Sequence, residues 1–188
     1  MTGSDRAGDA GLHATAVIHG ESGVLIVGAS GSGKSGLALA LMARASSAGA
    51  FGALIGDDRI YLREADGRLV AIGAANTAGM IERRMAGLIA IRHEPAAVVR
   101  LVVELSGRGE QWPRMPDEHD GVTIAGVRLP RLALDSGLCA CDQAFAVEER
   151  LAVLGVGKFG GTGISLEHCA AVHKNGGPEI SPLPAPDG

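Results

Sequence analysis

The stretch GVLIVGASGSGKSGLALALMARASS, residues 23–47, decides the fold of this chain. It begins with an apolar run typical of a buried β-strand and ends with strong helix formers whose apolar residues occupy more than one face. Between the two lies the pattern GxxxxGK[ST], met by Gly28, Gly33, Lys34 and Ser35. Strand, glycine-rich loop and helix is the order that a phosphate-binding loop requires. The sequence therefore predicts an α/β fold of the P-loop nucleotide-binding class.

The glycine-rich loop has a composition that suits a polyphosphate. Its glycines let the backbone turn N–H groups inward around phosphate oxygens. We expect the Lys34 ammonium to reach the β- and γ-phosphates, the Ser35 hydroxyl to bind Mg²⁺, and the following helix to direct its N-terminal dipole at the same anion. The expected ligand is ATP, or a similar polyphosphate, with Mg²⁺. The residues expected to contact it are consecutive: Gly28, Ala29, Ser30, Gly31, Ser32, Gly33, Lys34 and Ser35.

Composition limits the other classes of function. The 188 residues are 46% hydrophobic, enough for one buried core, and the net charge of −4 comes from 17 basic and 21 acidic residues mixed along the chain. No basic face predicts a nucleic-acid or anionic-membrane partner. No stretch reaches the ~18 apolar residues of a membrane span, and the first residues lack an apolar targeting segment. Three cysteines, Cys139, Cys141 and Cys169, fit reduced thiols, so we expect a cytoplasmic protein.

The remaining elements are predicted from apolar runs and turn residues. We expect a flexible N-terminus over residues 1–12, one catalytic domain over 13–154, and a disordered tail rich in Gly and Pro over 155–188. A polar loop is predicted over 106–121. The predicted strands are 14–18, 23–28, 53–55, 59–64, 68–73, 87–92 and 98–105, the last two central to the sheet, followed by a hairpin over 121–134 and a helix over 142–154.

Two adjacent carboxylates, Asp57 and Asp58, follow a short apolar strand, 22 residues after Ser35. This is the position at which a Mg²⁺-holding acid is expected beside a phosphate loop. One carboxylate can hold the metal through a water while the other takes a proton from an incoming hydroxyl. The alternative is an ordinary solvated turn.

Taken together, these motifs resemble the catalytic domain of HPr kinase/phosphorylase, the bacterial enzyme family that phosphorylates a serine of the phosphocarrier protein HPr. The resemblance covers roughly residues 13–135 and includes a C-terminal part similar to that of the short, single-domain form of the family. It implies a mixed-sheet core shared with phosphoenolpyruvate carboxykinases. The pieces that carry it are LHATAV (12–17), GASGSGKS (28–35), LIGDDRI (54–60), IERRMAGLIAIR (81–92) and RMPDEHDGVTIAGVRLPRLALD (114–135).

The resemblance implies roles for the residues that match by position. Asp57 becomes the group that deprotonates the acceptor serine and, in reverse, assists phosphate attack on phosphoserine. His13 is expected near Asp57, where it positions or polarises that carboxylate. Asp58 and Ser35 become the Mg²⁺ ligands, and Lys34 is the catalytic cation. For His13 taken alone, a histidine at the start of a strand is an equally good interpretation.

The IERRMAGLIAIR segment is similar to the family's EIRGLGI signature but departs from it. Glu82 and Arg84 match the acid and the base of the signature, which implies that they hold Mg²⁺ or a phosphate. Met85 and Ala86 replace its Gly and Leu, which puts a side chain where backbone is expected to come close. Gly36 stands where the family carries an acid after GKS. These changes affect reversible catalysis more than nucleotide binding.

The implied function is an ATP-dependent serine kinase acting on an HPr-like phosphocarrier, with reverse phosphorylase activity, regulating carbon and nitrogen metabolism through the phosphotransferase system. The family assembles as hexamers, so a homo-oligomer is expected. Two alternatives stay open. A small-molecule P-loop kinase would need several lid arginines, and loop 106–121 offers Arg108 and Arg114. A catalytically weak ATP-binding regulatory module is the other.

Overall fold

The computed structural model describes residues 11–83, 85–107 and 121–155. They form a mixed sheet of eight strands, a separate sheet of two strands, and two α-helices within these ranges. The elements in chain order are β1 (Thr15–His19), β2 (Ser22–Gly28), α1 (Lys34–Ser47), β3 (Gly52–Gly56), β4 (Ile60–Ala65), β5 (Arg68–Gly73), a short 3₁₀ turn (Ala75–Thr77), β6 (Met80–Arg83), β7 (Gly87–Ala90), β8 (Ala96–Ser106), β9 (Gly121–Ile124), β10 (Val127–Asp135) and α2 (Ala140–Val153).

The position of β1 in the sheet determines which residues can meet. β1 lies between β2 and β3 and is antiparallel to both. β2 and β3 therefore run in the same direction and end at the same edge, and β1 begins at that edge. Because neighbouring strands lie about 4.8 Å apart, the ends of β2 and β3 are separated by roughly 10 Å. This edge, which we call the loop edge, collects the residues that follow Gly28 and Gly56 and those that precede β1.

The central strand of the sheet is β8. It pairs in parallel with β2 and β10, and antiparallel with β5. Its consecutive residues Leu101, Val102 and Val103 are all buried, as an apolar strand covered on both faces requires. The prediction of a central strand over residues 98–105 is confirmed, and so is the predicted mixed sheet.

Two apolar cores form, one on each face of the sheet. The first lies under α1 and α2 and contains Leu37, Leu41, Val147 and Leu151 from the helices. The second lies on the opposite face, under the β4–β5 hairpin, and contains Leu69 of β5. Helix α1 spans the predicted residues 34–47, while α2 begins two residues before its predicted start. Among the described residues, no helix combines the length and apolar character that a membrane crossing needs.

The prediction that residues 87–92 form a central strand is wrong. β7 pairs with β6 in the two-stranded sheet, outside the large sheet. Of the neighbouring apolar residues Leu88 and Ile89, Leu88 is 68% exposed, whereas Ile89 packs against the first core. A short apolar run predicts a strand without telling a central position from an exposed hairpin. Glu82 lies in β6, the first strand of this hairpin.

Several predictions lie outside the described residues. They concern residues 1–10, Arg84, the loop over 108–120, and the tail from 156 onward. Leu12, at the boundary of the described part, exchanges backbone hydrogen bonds with Ile60 at 2.8 and 3.0 Å. Of the cysteines, Cys139 and Cys141 are both free thiols in the structure.

A buried polar cluster joins β1 to both helices. The His19 ring is 2% exposed, and its Nδ1 lies 3.1 Å from the Leu41 carbonyl oxygen of α1. Its Nε2 lies 3.3 Å from Glu148 Oε1 of α2, and Arg44 Nε donates to Glu148 Oε2 at 2.9 Å. Burial lowers the pKa of His19, and the Glu148 carboxylate offsets part of that effect. The folded state therefore holds His19 in its neutral form.

This cluster predicts a loss of stability at acidic pH. Folding lowers the pKa of His19. As the pH falls below about 6.5, His19 is therefore protonated more readily in the unfolded chain than in the folded chain. The free energy of unfolding should then fall by up to about 1.4 kcal/mol per pH unit from this residue. His19→Gln should reduce that slope in urea unfolding between pH 7 and pH 5. The exposed His93→Gln is the control, and equal slopes in His19→Gln and wild type would contradict the assignment.

A close backbone approach predicts a second stability effect. A Cβ at Gly73, the last residue of β5, would overlap the Ile55 carbonyl oxygen of β3. Gly73→Ala should therefore destabilise the protein by about 1–3 kcal/mol in urea unfolding. Gly36→Ala is the control because its Cβ would meet open space on α1, where alanine is favoured over glycine by roughly 0.5–1 kcal/mol. Equal unfolding midpoints for the two variants would show that position 73 tolerates a Cβ and would contradict the prediction.

Candidate functional site

The loop between β2 and α1 has the backbone of a phosphate cradle. Gly31 and Gly33 have φ of 77° and 101°, in the left-handed region that favours glycine. At Gly28, a Cβ would lie 2.5 Å from the Leu105 carbonyl oxygen and 2.9 Å from Ser32 Oγ. The glycines of the sequence pattern therefore stand where side chains would strain or block the loop.

Two features of the loop fit an anion. Helix α1 starts at Lys34 with no side-chain cap and no acid in its first turn, so its N-terminal dipole is not neutralised there. Ser32 Oγ is buried and has no hydrogen-bond partner among the described residues. A buried hydroxyl without a partner costs free energy, and a phosphate oxygen would supply the missing acceptor. The loop thus fits the polyphosphate predicted from its sequence.

Lys34 is folded over its own loop. Its side chain is mostly buried, and Nζ donates to the carbonyl oxygens of Gly28 and Ala29, both at 3.0 Å. Nζ also lies 3.0 Å from His13 Nε2. Burial lowers the pKa of Lys34, while Asp57 and Asp58 favour its charged form. An arriving phosphate would give this desolvated ammonium a further anionic partner.

Asp57 lies where three elements converge. Its Oδ1 accepts a hydrogen bond from Thr15 Oγ1 at 2.6 Å. Ser35 Oγ lies 3.1 Å from Oδ1 and 3.0 Å from Oδ2, and the Glu82 amide donates to Oδ2 at 3.2 Å. Strand β1, helix α1 and strand β6 therefore hold one carboxylate. The Thr15 contact is absent from the sequence interpretation, because within the LHATAV segment only His13 was given a role.

Asp58 turns away from that group. Its φ of 69° is in the left-handed region, which Asp adopts more readily than most residues. Its Oδ1 lies 2.6 Å from His13 Nδ1, and its side chain is 81% exposed. With its proton on Nδ1, the His13 ring can donate to Asp58 and accept from Lys34 Nζ at the same time. The structure thus brings His13 to Asp58, the neighbour of the carboxylate to which the sequence interpretation assigned it.

A Mg²⁺ ion fits the donors at this edge of the sheet. Mg²⁺ binds through one or two carboxylates together with substrate phosphates and waters, seldom through an all-protein cage. Ser35 Oγ and the Asp57 carboxylate lie 3.0 Å apart beside the phosphate loop, which suits such a partial site. Within the described ranges, no group of three or more His, Cys, Asp or Glu residues could hold a metal alone.

The β6–β7 hairpin reaches the site through its backbone. The Glu82 amide contacts Asp57, while the Glu82 side chain is exposed. Met85 has φ 68°, in the left-handed region that favours the glycine of the signature, and its side chain is fully solvent-exposed. The expected crowding by Met85 is therefore not seen among the described residues. The position of Arg84 lies outside them.

Comparison with known proteins identifies the family of this chain. The HPr Serine kinase C-terminal domain family matches residues 7–137. HPr kinase/phosphorylases from two Clostridium botulinum strains, Eklund 17B and Alaska E43, are each 41% identical over 78 residues, which are 42% of this chain and 24% of theirs. The matched part thus spans about a quarter of the length of these curated relatives.

The fold itself has a solved counterpart. The Hpr(Ser) kinase/phosphatase from Coxiella burnetii superposes with a TM-score of 0.64 and 21% identity, covering 77% of this chain and 95% of the other. At this identity the likeness concerns the fold. The family match covers well over half of the sequence. The chain therefore belongs to the HPr serine kinase C-terminal domain family.

Proposed function

We propose that this protein transfers the γ-phosphoryl group of ATP to a serine hydroxyl of an HPr-like phosphocarrier protein. The observation that carries the proposal is a pair of neighbouring hydrogen-bonded groups at the loop edge. Lys34 and Ser35 of the phosphate loop contact His13 and Asp57, and His13 in turn contacts Asp58. These are two hydrogen-bonded groups, Lys34–His13–Asp58 and Ser35–Asp57, which adjoin through the chain neighbours Lys34/Ser35 and Asp57/Asp58. Together they offer groups suited to phosphate, Mg²⁺ and a proton. Family membership supports the same reaction class.

The phosphate loop would bind the nucleotide. The backbone amides at the start of α1 and the Ser32 hydroxyl would donate to phosphate oxygens, and Lys34 Nζ would leave its loop carbonyls to contact the β- and γ-phosphates. Ser35 and Asp57 would hold Mg²⁺. When bound, the metal would neutralise charge on the phosphate oxygens.

The contacts favour an exchange of the two roles that the resemblance implies, in which Asp57 accepts the proton and Asp58 binds Mg²⁺. Asp57, held by Ser35 and by two further donors, suits the metal side. Asp58, paired with His13 and 81% exposed, suits the proton-accepting side, because an incoming hydroxyl can reach it. We propose this reversed assignment.

The reaction then follows from the geometry. The acceptor serine oxygen attacks the γ-phosphorus, and the bond from that phosphorus to the β–γ bridging oxygen breaks, so ADP leaves with the bonding electrons. The serine proton passes to the Asp58 carboxylate. His13 holds this carboxylate and contacts Lys34, which links the base to the cation beside the phosphates. In reverse, an oxygen of inorganic phosphate would attack the phosphoserine phosphorus, and the bond from that phosphorus to the serine oxygen would break, so that pyrophosphate forms. Asp58 would accept a proton from the attacking phosphate and return it to the serine oxygen.

The exposure of Asp58 supports a protein acceptor. A carboxylate that is 81% exposed is open to a serine on the surface of another protein, whereas a small-molecule kinase encloses its acceptor.

We propose a cytoplasmic homo-oligomer that regulates the phosphotransferase system through this carrier.

Substitution of each aspartate separates the two roles. With γ-³²P-ATP, Mg²⁺ and the organism's HPr-type carrier, Asp58→Asn should lower label transfer by about 100-fold or more while Mg²⁺-dependent ADP binding stays near wild type. Asp57→Asn should instead lose about 10- to 100-fold of the tightening that Mg²⁺ gives to ADP binding. Label on the carrier is read after gel separation, and binding is read with a fluorescent ADP.

Asp66→Asn, on the exposed β4–β5 turn, is the matched control and should leave both measurements unchanged. Lys34→Ala should abolish nucleotide binding and label transfer together. Nucleotide binding without any label on the carrier would exclude the kinase and leave a nucleotide-sensing module or a small-molecule kinase. Full transfer by Asp58→Asn would overturn the reversed assignment alone.

A further inference from the structure

Thr15 is a buried hydroxyl residue at the start of β1. Its residue exposure is 0%, and its Oγ1 donates to Asp57 Oδ1 at 2.6 Å, shorter than either Ser35–Asp57 contact. It lies in neither the phosphate loop nor the aspartate pair.

The orientation of Thr15 follows from the alternation of β1. Its neighbours Ala14 and Ala16 belong to the core under the β4–β5 hairpin, whereas Val17 belongs to the core under the helices. Residues two apart share a face of a strand, so Thr15 faces the helix side, where Ser35 lies in the first turn of α1. A valine would fill such a site equally well, so the hydroxyl is the feature that needs an explanation.

The three donors to Asp57 differ in what a metal would do to them. The Ser35 hydroxyl would itself bind Mg²⁺ through an oxygen lone pair, so its position would depend on the metal. The Glu82 amide belongs to an exposed hairpin. Thr15 is fully buried on a strand paired on both sides, and its hydroxyl can keep donating with or without the metal.

We propose that Thr15 is a positioning residue that fixes the Asp57 carboxylate for Mg²⁺ in the nucleotide complex. This rests on the proposed function, because it needs Asp57 on the metal side. Hydrogen-bond partners of metal-binding carboxylates orient them, and removal of such a partner costs about 10- to 100-fold in metal affinity or activity. Loss of the Thr15 hydroxyl should therefore impair Mg²⁺ use while leaving the phosphate loop intact.

The test measures the affinity for fluorescent ADP in excess Mg²⁺ and in EDTA, for wild type, Thr15→Val and Thr15→Ser. Thr15→Val keeps the volume and removes the hydroxyl. It should bind ADP in EDTA as wild type does, and should lose about tenfold or more of the tightening produced by Mg²⁺. Thr15→Ser keeps the hydroxyl and loses a methyl group, and it should restore most of that tightening.

Matched controls keep the result interpretable. Thr123→Val makes the same change on the exposed surface of β9 and should leave both affinities unchanged. Thermal melting checks folding, and Thr15→Ala against Thr15→Ser gives a second pair that differs by one hydroxyl if the valine variant does not fold. A Mg²⁺ effect of wild-type size in Thr15→Val or Thr15→Ala would overturn the proposal. Absence of nucleotide binding in wild type would overturn the proposed function as well.

Discussion

The placement of one antiparallel strand between two strands of the opposite direction governs this site. Because β1 separates β2 from β3, the phosphate loop and the aspartates emerge at one edge about 10 Å apart, and the start of β1 lies in the gap. Side chains of ordinary length then close that gap. Thr15 and His13, from the start of β1, contact one aspartate each. Without this topology, the loop after β2 and the turn after β3 would have no common neighbour.

The electrostatics of this edge suits a bound anion. A mostly buried lysine, a helix N-terminus without an acidic cap and a buried hydroxyl without a partner in the described part of the loop all offer donors or positive charge. The two carboxylates beside them would repel a polyphosphate unless its charge were compensated. In the proposed function, a divalent cation held by Ser35 and Asp57 would supply that compensation, which would explain why donors and acids occupy the same small region.

Much of the fold followed from local patterns. The strand, loop and helix over residues 23–47 and the central strand β8 were predictable, because apolar periodicity and glycine placement report local conformation directly. The exposed position of β7 was not predictable, since a short apolar run does not indicate which element it packs against. At the candidate site, the sequence indicated which residues to consider but did not indicate which of them contact each other. Adjacent aspartates look equivalent in a sequence, and only the left-handed turn at Asp58 sends the two side chains to different partners. Thr15 was missed because a single threonine in an apolar strand is also a good strand former.

The central claim is that the phosphate loop and Asp57 make one metal–nucleotide site, with Asp58 left for the acceptor. A crystal structure of the full chain with Mg²⁺ and a non-hydrolysable ATP analogue tests it most directly. We expect a metal ion about 2.1 Å from Ser35 Oγ, on the Asp57 side, with Thr15 still hydrogen-bonded to Asp57 and His13 still hydrogen-bonded to Asp58. A metal ion held by Asp58, with Asp57 facing the γ-phosphate, would contradict it.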